Sequence, residues 1–552
     1  MKRILSIALA LLLILTLLPA SAEDRLRTSG DWSYRVLPDG TAEIAEYKGR
    51  TAALVIPGTL GGYTVTSIGV YAFEDCDFLT SVTFPDTITH IGKEAFCYCT
   101  GLTTITLPDS VVSLGSNPFA ACNSLKSIHV APEHPVLATI DGVLFSKADK
   151  QLLFYPGGKT DTHYEIPNGI RSIADQAFAS NFYLASVTIP DTVVSIGANP
   201  FTACFSLHTI NVSAEHPALA VIDGVLFEKT TKTLVTYPCT LPNISYTVPN
   251  GIRCIGEDAF SLCFSLTSIT LPETLTTISS DAFFGCDSIS GIIIPDSVTV
   301  IGESAFYGCF SLRSIVIPPH ITELPIGVFS LCESLTEVIL PEGLTIINDY
   351  AFSQCTSLQT LSIPDSVTFI GEGSFDGCSA LTSVKMPAAM NALGRGAFYQ
   401  CTALRSIVIP QGVTRIEAFT FLGCGSLTTV TLPESLTFIG DSAFYKCGSL
   451  QNINIPASLT TFDVGCFAEC TSLTSFDVPE GTKEIPNGMF YGCTSLTSVT
   501  LPASISRIYA ESFSRVSSEL VITAPQDSYA ITYCKSNGIS YLFPDSFDWL
   551  FN

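Results

Sequence analysis

Apolar and polar positions alternate along this chain in a pattern that returns at a step of 23, as from Cys263 to Cys286. In the stretch CTSLTSVTLPASISRIYAESFSR, which starts at Cys493, apolar side chains stand three and then two positions apart at Leu496, Val499 and Leu501. This spacing predicts a short strand with one buried face. The proline that follows has no N–H to donate, so strand pairing stops at the same place in nearly every step. A second short extended run and a turn with a phenylalanine complete one coil.

Two residue types mark the period. A phenylalanine recurs at this step between Phe73 and Phe513, apart from two longer intervals, and marks seventeen coils; a cysteine follows three positions later in most of them. One coil buries too little apolar surface to offset the ordering of its chain, so the coils must stack on one another. The cysteines that keep the step without a slip are Cys263, Cys286, Cys309, Cys332, Cys355, Cys378, Cys401, Cys424, Cys447, Cys470 and Cys493.

The cysteines favour a row of free thiols over a disulfide framework. Fifteen of the twenty share one position, at which Asn181 and Val516 substitute in two coils. Side chains that point inward in parallel, one coil apart, have poor geometry for a disulfide. We expect each thiol to donate a weak hydrogen bond to the backbone, and single cysteines one full period apart offer no tetrahedral metal site. Pairing stays open for the five others, which are Cys97, Cys239, Cys254, Cys466 and Cys534.

The pattern C-x-x-L-x-x-I-x-L-P-x-x-L-x-x-I-x-x-x-A-F resembles the BspA-like, Treponema-type leucine-rich repeat surface proteins of bacteria, over about residues 66–516. The resemblance implies a curved, β-rich leucine-rich repeat solenoid that displays a binding surface, with no reaction implied. Gly30–Gly49 resembles the start of an N-terminal cap, and Ser528–Phe543 resembles a closing helix and strand. The expected division is an N-terminal cap at 23–65, the solenoid at 66–516 and a C-terminal cap at 517–552.

The segment 1–22 predicts export. Lys2 and Arg3 precede an apolar run from Ile4 to Leu18, and Ala20-Ser21-Ala22 provides a cleavage site, as in a secretory signal peptide. An uncleaved anchor is the alternative, although the run is shorter than a spanning helix needs. No later apolar run is long enough to span a membrane. The mature chain is therefore expected to be secreted or held at the cell surface, without a transmembrane segment.

Charge and composition narrow the partners. The net charge of −24 repels phosphate backbones, which argues against nucleic acid. Only 14% of residues are charged, and the variable positions are mostly serine and threonine. A hydroxyl-rich exterior suits a protein or glycan ligand on a host or microbial surface and does not choose between them. We expect no cofactor.

The array is broken twice by segments that are copies of each other. His129–Pro156 matches Asn211–Pro238, and each break lengthens the array beyond its period, near 131–165 and 213–247. Alternating apolar residues on both sides of Ser146–Lys150 predict a β-hairpin that projects from one edge of the solenoid. The two hairpins either shape a binding site or brace the coils.

The copied segments also carry acidic residues and a histidine. Metal binding or acid–base chemistry is conceivable with these side chains, but turn formation accounts for them more simply. No nucleophile elbow, phosphate loop or H-E-x-x-H motif occurs in the chain, so we expect no enzyme. The residues concerned are Glu133, His134 and Asp141, repeated as Glu215, His216 and Asp223.

The outward face of the first strands is the predicted binding surface. Ile293, Val316 and Ile339 occupy one outward position on consecutive coils, beside Glu337. An exposed apolar patch often marks an interaction site, although β-branched residues also favour strands for their own sake. A second apolar row, which packing between coils would also explain, holds Phe182, Phe205, Phe264 and Phe310. The sequence predicts an adhesin-like binding protein; an envelope spacer without a ligand and a hydrolase are the alternatives.

Overall fold

A computed structural model describes residues 26–544. The predicted signal peptide and the segment 545–552 lie outside the described residues. A regular coil contains a first strand of three residues, a turn that begins at a proline, a second strand of two residues, and a turn that holds the phenylalanine. In the coil of Phe398 the two strands are Ser383–Lys385 and Ala392–Leu393. The first strand is exposed, buried and exposed in order, because only its middle side chain points inward.

Successive coils pair in parallel, and the register is one full period. Ser406 faces Thr429 and Val408 faces Thr431 in one such pair of first strands. Inside the coils the phenylalanines form a column of stacked rings; the ring centroids of Phe375 and Phe398, for example, lie 5.2 Å apart. The structure is a β-solenoid of leucine-rich repeat type, which confirms the predicted fold class.

Most phenylalanine turns have two residues with a left-handed backbone, one on either side of the ring. Around Phe352 these are Tyr350 (φ 56°) and Gln354 (φ 59°). In the next coil, both positions are glycines, Gly373 (φ 55°) and Gly377 (φ 68°). Glycine adopts this conformation without the steric cost that a Cβ atom adds, so these sites explain part of the glycine content.

The chain forms two compact units, which meet in sequence between Leu226 and Phe227. The first unit opens with Arg27–Ser29, Trp32–Val36 and Ala42–Tyr47, which pair antiparallel in that order. Tyr63–Ile68 then pairs in parallel with Ala42–Tyr47 and antiparallel with Thr59–Leu60. The first strands of its coils are Ala53–Val55, Ser81–Thr83, Thr104–Thr106, Ser127–His129, His163–Glu165, Ser186–Thr188 and Thr209–Asn211. Its second strands are His90–Ile91, Ser113–Leu114, Ser172–Ile173 and Ser195–Ile196.

The second unit contains the longest regular run of coils. Its first strands are Ser245–Thr247, Ser268–Thr270, Ser314–Val316, Glu337–Ile339, Thr360–Ser362, Ser383–Lys385, Ser406–Val408, Thr429–Thr431, Ser475–Asp477, Ser498–Thr500 and Val521–Thr523. Its second strands are Cys254–Ile255, Thr277–Ile278, Val300–Ile301, Glu323–Leu324, Ile346–Ile347, Phe369–Ile370, Ala392–Leu393, Arg415–Ile416, Phe438–Ile439, Thr461–Phe462, Glu484–Ile485 and Arg507–Ile508.

A helix and a strand follow the last coil. The helix Tyr529–Asn537 begins at Ser528, whose Oγ accepts the N–H of Ile531 at 3.3 Å, and it ends at Gly538 with φ 68°. Strand Ser540–Leu542 then pairs in parallel with Val521–Thr523. These elements lie in the segment for which the sequence predicted a closing helix and strand.

The structure divides the two breaks in the array differently from the sequence prediction. Tyr155 stands one regular step before Phe178, stacks on its ring at 5.0 Å, and donates its N–H to Ala177 O at 2.7 Å, as a phenylalanine does in a regular coil. Tyr237 stacks in the same way on Phe260 at 5.2 Å. Each break is therefore one enlarged coil, from Phe119 to Tyr155 or from Phe201 to Tyr237, followed by a coil of ordinary length.

The predicted projection of the hairpins is wrong. In the first enlarged coil, strands Leu137–Ile140, Val143–Ser146 and Gln151–Phe154 pair antiparallel, and the last of them continues in parallel with Ser172–Ile173. Leu144 and Leu152 are fully buried. The alternation suggested a hairpin with one apolar and one polar side, but Leu144, which stands between the apolar residues Val143 and Phe145, is apolar too. The hairpin therefore has no polar side to expose to solvent. The corresponding strands of the second enlarged coil are Leu219–Ile222, Val225–Glu228 and Thr233–Thr236.

Candidate binding face

The first strands of the second unit carry two files of outward side chains, as the alternation requires. Thr270 bridges to Ile293, Gly291 bridges to Ser314, and Val316 faces Ile339, all in the register of one full period. Ile293, Val316 and Ile339, called the aliphatic strip below, therefore occupy neighbouring positions on consecutive coils, with Glu337 beside them. The two files contain Ser268, Gly291, Ser314, Glu337 and Thr360, and beside them Thr270, Ile293, Val316, Ile339 and Ser362.

The aliphatic strip is highly exposed. Ile293 is 86% exposed, Val316 55% and Ile339 51%. Gly291 stands two positions before Ile293 on the same face, and a Cβ atom there would meet nothing within 4 Å, so no side chain from that position shields Ile293. Three adjoining aliphatic side chains in contact with water are unfavourable unless something covers them.

A row of buried thiols lies inside the coils that carry this strip. Cys309 Sγ donates to Phe283 O at 3.3 Å, and Cys332 Sγ donates to Phe306 O at 3.2 Å. Burial raises the pKa of the Cys309 thiol to about 12, so the thiol stays protonated at neutral pH and keeps its donor. The row satisfies one backbone carbonyl per coil and has no chemistry to offer a ligand.

Cys263 departs from this row, because it forms a disulfide with Cys239. The sequence placed Cys263 in the thiol row and left Cys239 unassigned. In the first copy of the duplicated segment, the same two positions hold Gly157 and Asn181, and Asn181 Nδ2 donates to Gly157 O at 3.2 Å. Adjacent coils are therefore joined at this position by a hydrogen bond in the first copy and by a disulfide in the second.

The duplicated histidine has a structural role. His134 is 1% exposed, and its Nδ1 accepts the N–H groups of Val136 (3.3 Å) and Leu137 (3.1 Å). This fixes the proton on Nε2, which donates to Pro108 O at 3.2 Å. His216 makes the corresponding bonds. No group of three or more His, Cys, Asp or Glu side chains among residues 26–544 could hold a metal ion.

The second apolar row is partly exposed. Phe182 and Phe205 are each 39% exposed and stack on each other at 5.7 Å. Asp287 occupies the same coil position between Phe264 and Phe310, so the row is interrupted in the second unit. Stacking between coils accounts for Phe182 and Phe205 without a ligand.

Comparison with known proteins identifies the family. A family model for the BspA type leucine rich repeat region matches residues 59–161, 150–248, 235–355, 300–406 and 391–520. Curated proteins give no match. No helix within residues 26–544 is both long and apolar enough to cross a membrane.

Three solved structures illustrate the similarity. A leucine-rich repeat protein from Eubacterium ventriosum is 21% identical, with a TM-score of 0.45 over 67% of this chain and 93% of that one. A leucine rich cell surface protein from Faecalibacterium prausnitzii is 30% identical, with a TM-score of 0.35 over 66% and 96%. A leucine-rich repeat protein from Bacteroides ovatus is 23% identical, with a TM-score of 0.34 over 95% and 99%. Because the family model covers residues 59–520 without a gap, which is well over half of the chain, the chain belongs to the BspA-type leucine-rich repeat family of bacterial surface proteins.

Proposed function

We propose that this protein is exported and acts at the cell surface as an adhesin-like binder of a protein on a host or microbial surface. The contact surface is the outward face of the first strands, with Ile293, Val316 and Ile339 at its centre and Glu337 beside them. The observation that carries the proposal is the exposure of this strip on three consecutive coils. Membership of a family of surface repeat proteins supports a binding role.

Binding suits the geometry of the face better than catalysis does. A regular sheet of short strands presents side chains at fixed spacing over a wide area, as recognition of another macromolecule requires. The titratable side chain in the two files around the strip is Glu337, whereas acid–base or nucleophilic chemistry needs groups that act together.

The test is a triple variant, Ile293→Thr, Val316→Thr and Ile339→Thr. Threonine keeps the β-branched shape that favours strands and removes the apolar surface. On an array of matrix proteins, mucins and glycans, we expect the parent to bind at least one protein. The triple variant should bind that protein at least about tenfold more weakly, because the lost apolar contacts would lie at the centre of the interface, where the residues that contribute most to affinity cluster.

A matched control carries Val112→Thr, Val194→Thr and Val300→Thr. These valines are 52%, 52% and 50% exposed, lie outside the first strands and do not adjoin one another, so the chemical change is similar but no contiguous strip is lost. The control should bind as the parent does. Equal binding by the strip variant and the parent would remove the strip from the proposal, and a parent that binds nothing on the array would favour the spacer.

A further inference from the structure

In the second unit, a carboxylate interrupts the row of rings that stands directly after the cysteine position. Phe264, Asp287 and Phe310 occupy this position on three consecutive coils. Phe264 is exposed, and Asp287 and Phe310 are half-buried. In the first unit, Phe182 and Phe205 stack on each other at the same position, with 18° between their planes. The second unit therefore presents two rings at its surface, with an acid in the place where a third ring would stack.

The two rings are separated by two coil steps. In the same three coils, the buried rings of Phe260, Phe283 and Phe306 lie 5.2 Å apart at each step. Phe264 and Phe310 therefore stand about 10 Å apart, which is two strand spacings. Rings at this position face along the stack, so the two faces border a slot. The aspartate side chain is shorter than a phenylalanine and leaves the outer part of this slot open.

The Asp287 carboxylate at the base of the slot has no compensating partner among residues 26–544. It forms no ion pair and accepts no hydrogen bond from a described donor. Burial by itself raises the pKa of this carboxyl to about 6, so the group is ionised at pH 7 at a cost in folding free energy. Glu333, exposed at the same position one coil beyond Phe310, adds negative potential. A bound cation would offset the cost of the buried charge.

The dimensions of the slot match a quaternary ammonium group. A cation midway between the rings lies about 5 Å from each centroid, within the roughly 6 Å over which an aromatic face attracts a cation. A quaternary ammonium has no N–H group, so a single carboxylate leaves none of its atoms without a hydrogen-bond partner. A guanidinium is flat and would contact only one of the two faces, and a lysine ammonium would lose its strong hydration for a single acceptor.

We propose that Phe264, Asp287 and Phe310 form a binding site for the quaternary ammonium group of choline or a similar compound. The rings provide two cation–π contacts, and the carboxylate neutralises the charge. The site lies in the turns that precede the first strands, on different side chains from the aliphatic strip. The inference goes beyond the proposed function and does not depend on it.

Calorimetric titration of the protein with choline tests the site. The matched ligand is the neutral carbon analogue of choline, in which a tert-butyl group replaces the trimethylammonium group. We expect choline to bind at least about tenfold more tightly than this analogue or ethanolamine, because the contacts require a charge and a primary ammonium is more strongly hydrated. Equal binding of the neutral analogue would show an apolar slot without cation recognition and overturn the proposal. Equal binding of ethanolamine would overturn it as well.

Two variants remove the two parts of the site. Asp287→Asn removes the charge and keeps the shape, and Phe264→Leu with Phe310→Leu removes the aromatic faces and keeps apolar side chains. Each should weaken choline binding at least about fivefold. The matched control, Phe182→Leu with Phe205→Leu, changes two rings at the same coil position without an acid between them and should stay within about twofold of the parent.

Thermal unfolding shows whether each variant is folded, and Asp287→Asn decides the matter if the ring variant does not fold. A parent that binds no choline, or unchanged binding by Asp287→Asn, would overturn the proposal. Sedimentation with phosphatidylcholine vesicles identifies the source of the group. Co-sedimentation that Asp287→Asn abolishes indicates a lipid head group, and binding of free choline without co-sedimentation indicates a soluble compound. The variant of the aliphatic strip should bind choline as the parent does, so this inference and the proposed function fail separately.

Discussion

Single side chains donate a hydrogen bond inward to a backbone carbonyl of the preceding coil, and the donor group differs between coils. Most coils use a cysteine thiol, Asn181 donates to Pro156 O at 3.2 Å, and His134 donates to Pro108 O. All three satisfy a carbonyl that would otherwise be buried without a partner, which is costly. The period predicted the position of the cysteines and their inward direction. It could not predict the Cys239–Cys263 bond, because Cys239 stands off the period and pairing depends on three-dimensional geometry.

The thiol row predicts a large difference between native and denatured reactivity. All twenty cysteines lie in the described residues, and eighteen are free, so unreduced protein in denaturant should give about eighteen thiols. Burial raises the pKa of Cys424 to about 12, and the thiolate is the reactive form, so the row should react slowly in native protein. Cys254 is the free cysteine that is not fully buried and should react first.

Alkylation with mass spectrometric mapping checks this expectation, and Cys254→Ser should remove the fast-reacting site. Recovery of fewer than about six thiols in denaturant would show that the disulfide framework expected of exported proteins is present after all.

Asp287 should make stability depend on pH. Burial raises the pKa of its carboxyl to about 6, in a position flanked by Phe264 and Phe310 on the neighbouring coils. Because the pKa is higher in the folded state, the protonated acid favours folding below about pH 4, and this contribution is lost as the pH rises through about 6. Asp287→Asn should therefore raise the free energy of unfolding at pH 7 by about 1 kcal/mol, a value reduced for partial solvent screening, and change it little at pH 3.5.

Urea denaturation at the two pH values measures the difference. Asp477→Asn, at an exposed position on a first strand, is the control and should have little effect at either pH. If Asp287→Asn changes stability equally at pH 3.5 and pH 7, ionisation of this carboxyl is not the cause.

At the level of strands and coils, the positions of the enlarged coils could have been predicted from the sequence, but not from the phenylalanines alone. Tyr155 and Tyr237 keep the regular step, and recognition of tyrosine at the phenylalanine position would have located the enlarged coils. The hairpin strands were visible in the apolar alternation around Ser146–Lys150. The burial of these strands could not be predicted, because it depends on the pairing of Gln151–Phe154 with Ser172–Ile173, and only the folded structure shows that pairing.

The duplication offers a test of the disulfide. Reduction of the parent should lower the free energy of unfolding by about 2–4 kcal/mol, because the bond closes a loop in the unfolded chain. Replacing Cys239→Gly together with Cys263→Asn reproduces the Gly157–Asn181 pair of the first copy. We expect this double variant to recover part of the lost stability through the amide hydrogen bonds and to be insensitive to reductant.

The control for that exchange is Cys239→Gly with Cys263→Ala, which has neither the disulfide nor the amide. Guanidinium denaturation with and without dithiothreitol ranks the three proteins. If the variant with Cys263→Asn is no more stable than the variant with Cys263→Ala, the amide hydrogen bonds do not replace the stabilisation that the disulfide provides.

Across the whole chain, the strict period allowed the fold class to be predicted, because every coil buries the same positions against its neighbours. The exposed strip followed from the same period, since outward positions are fixed by strand alternation. The boundary between the two compact units falls in an enlarged coil.

Repetition predicts that a whole coil can be removed from the regular run. Deleting residues 355–377 brings Gln354 next to Cys378, which restores the junction that every coil has with the next. Because each coil contacts mainly its neighbours, the shortened protein should fold and lose only a few kcal/mol. Deleting residues 355–365 instead removes half a coil and shifts every later apolar position, so that variant should fail to form a cooperative fold. Circular dichroism and limited proteolysis of both variants decide the matter. If the full-coil deletion is as disruptive as the half-coil deletion, the coils are not interchangeable units.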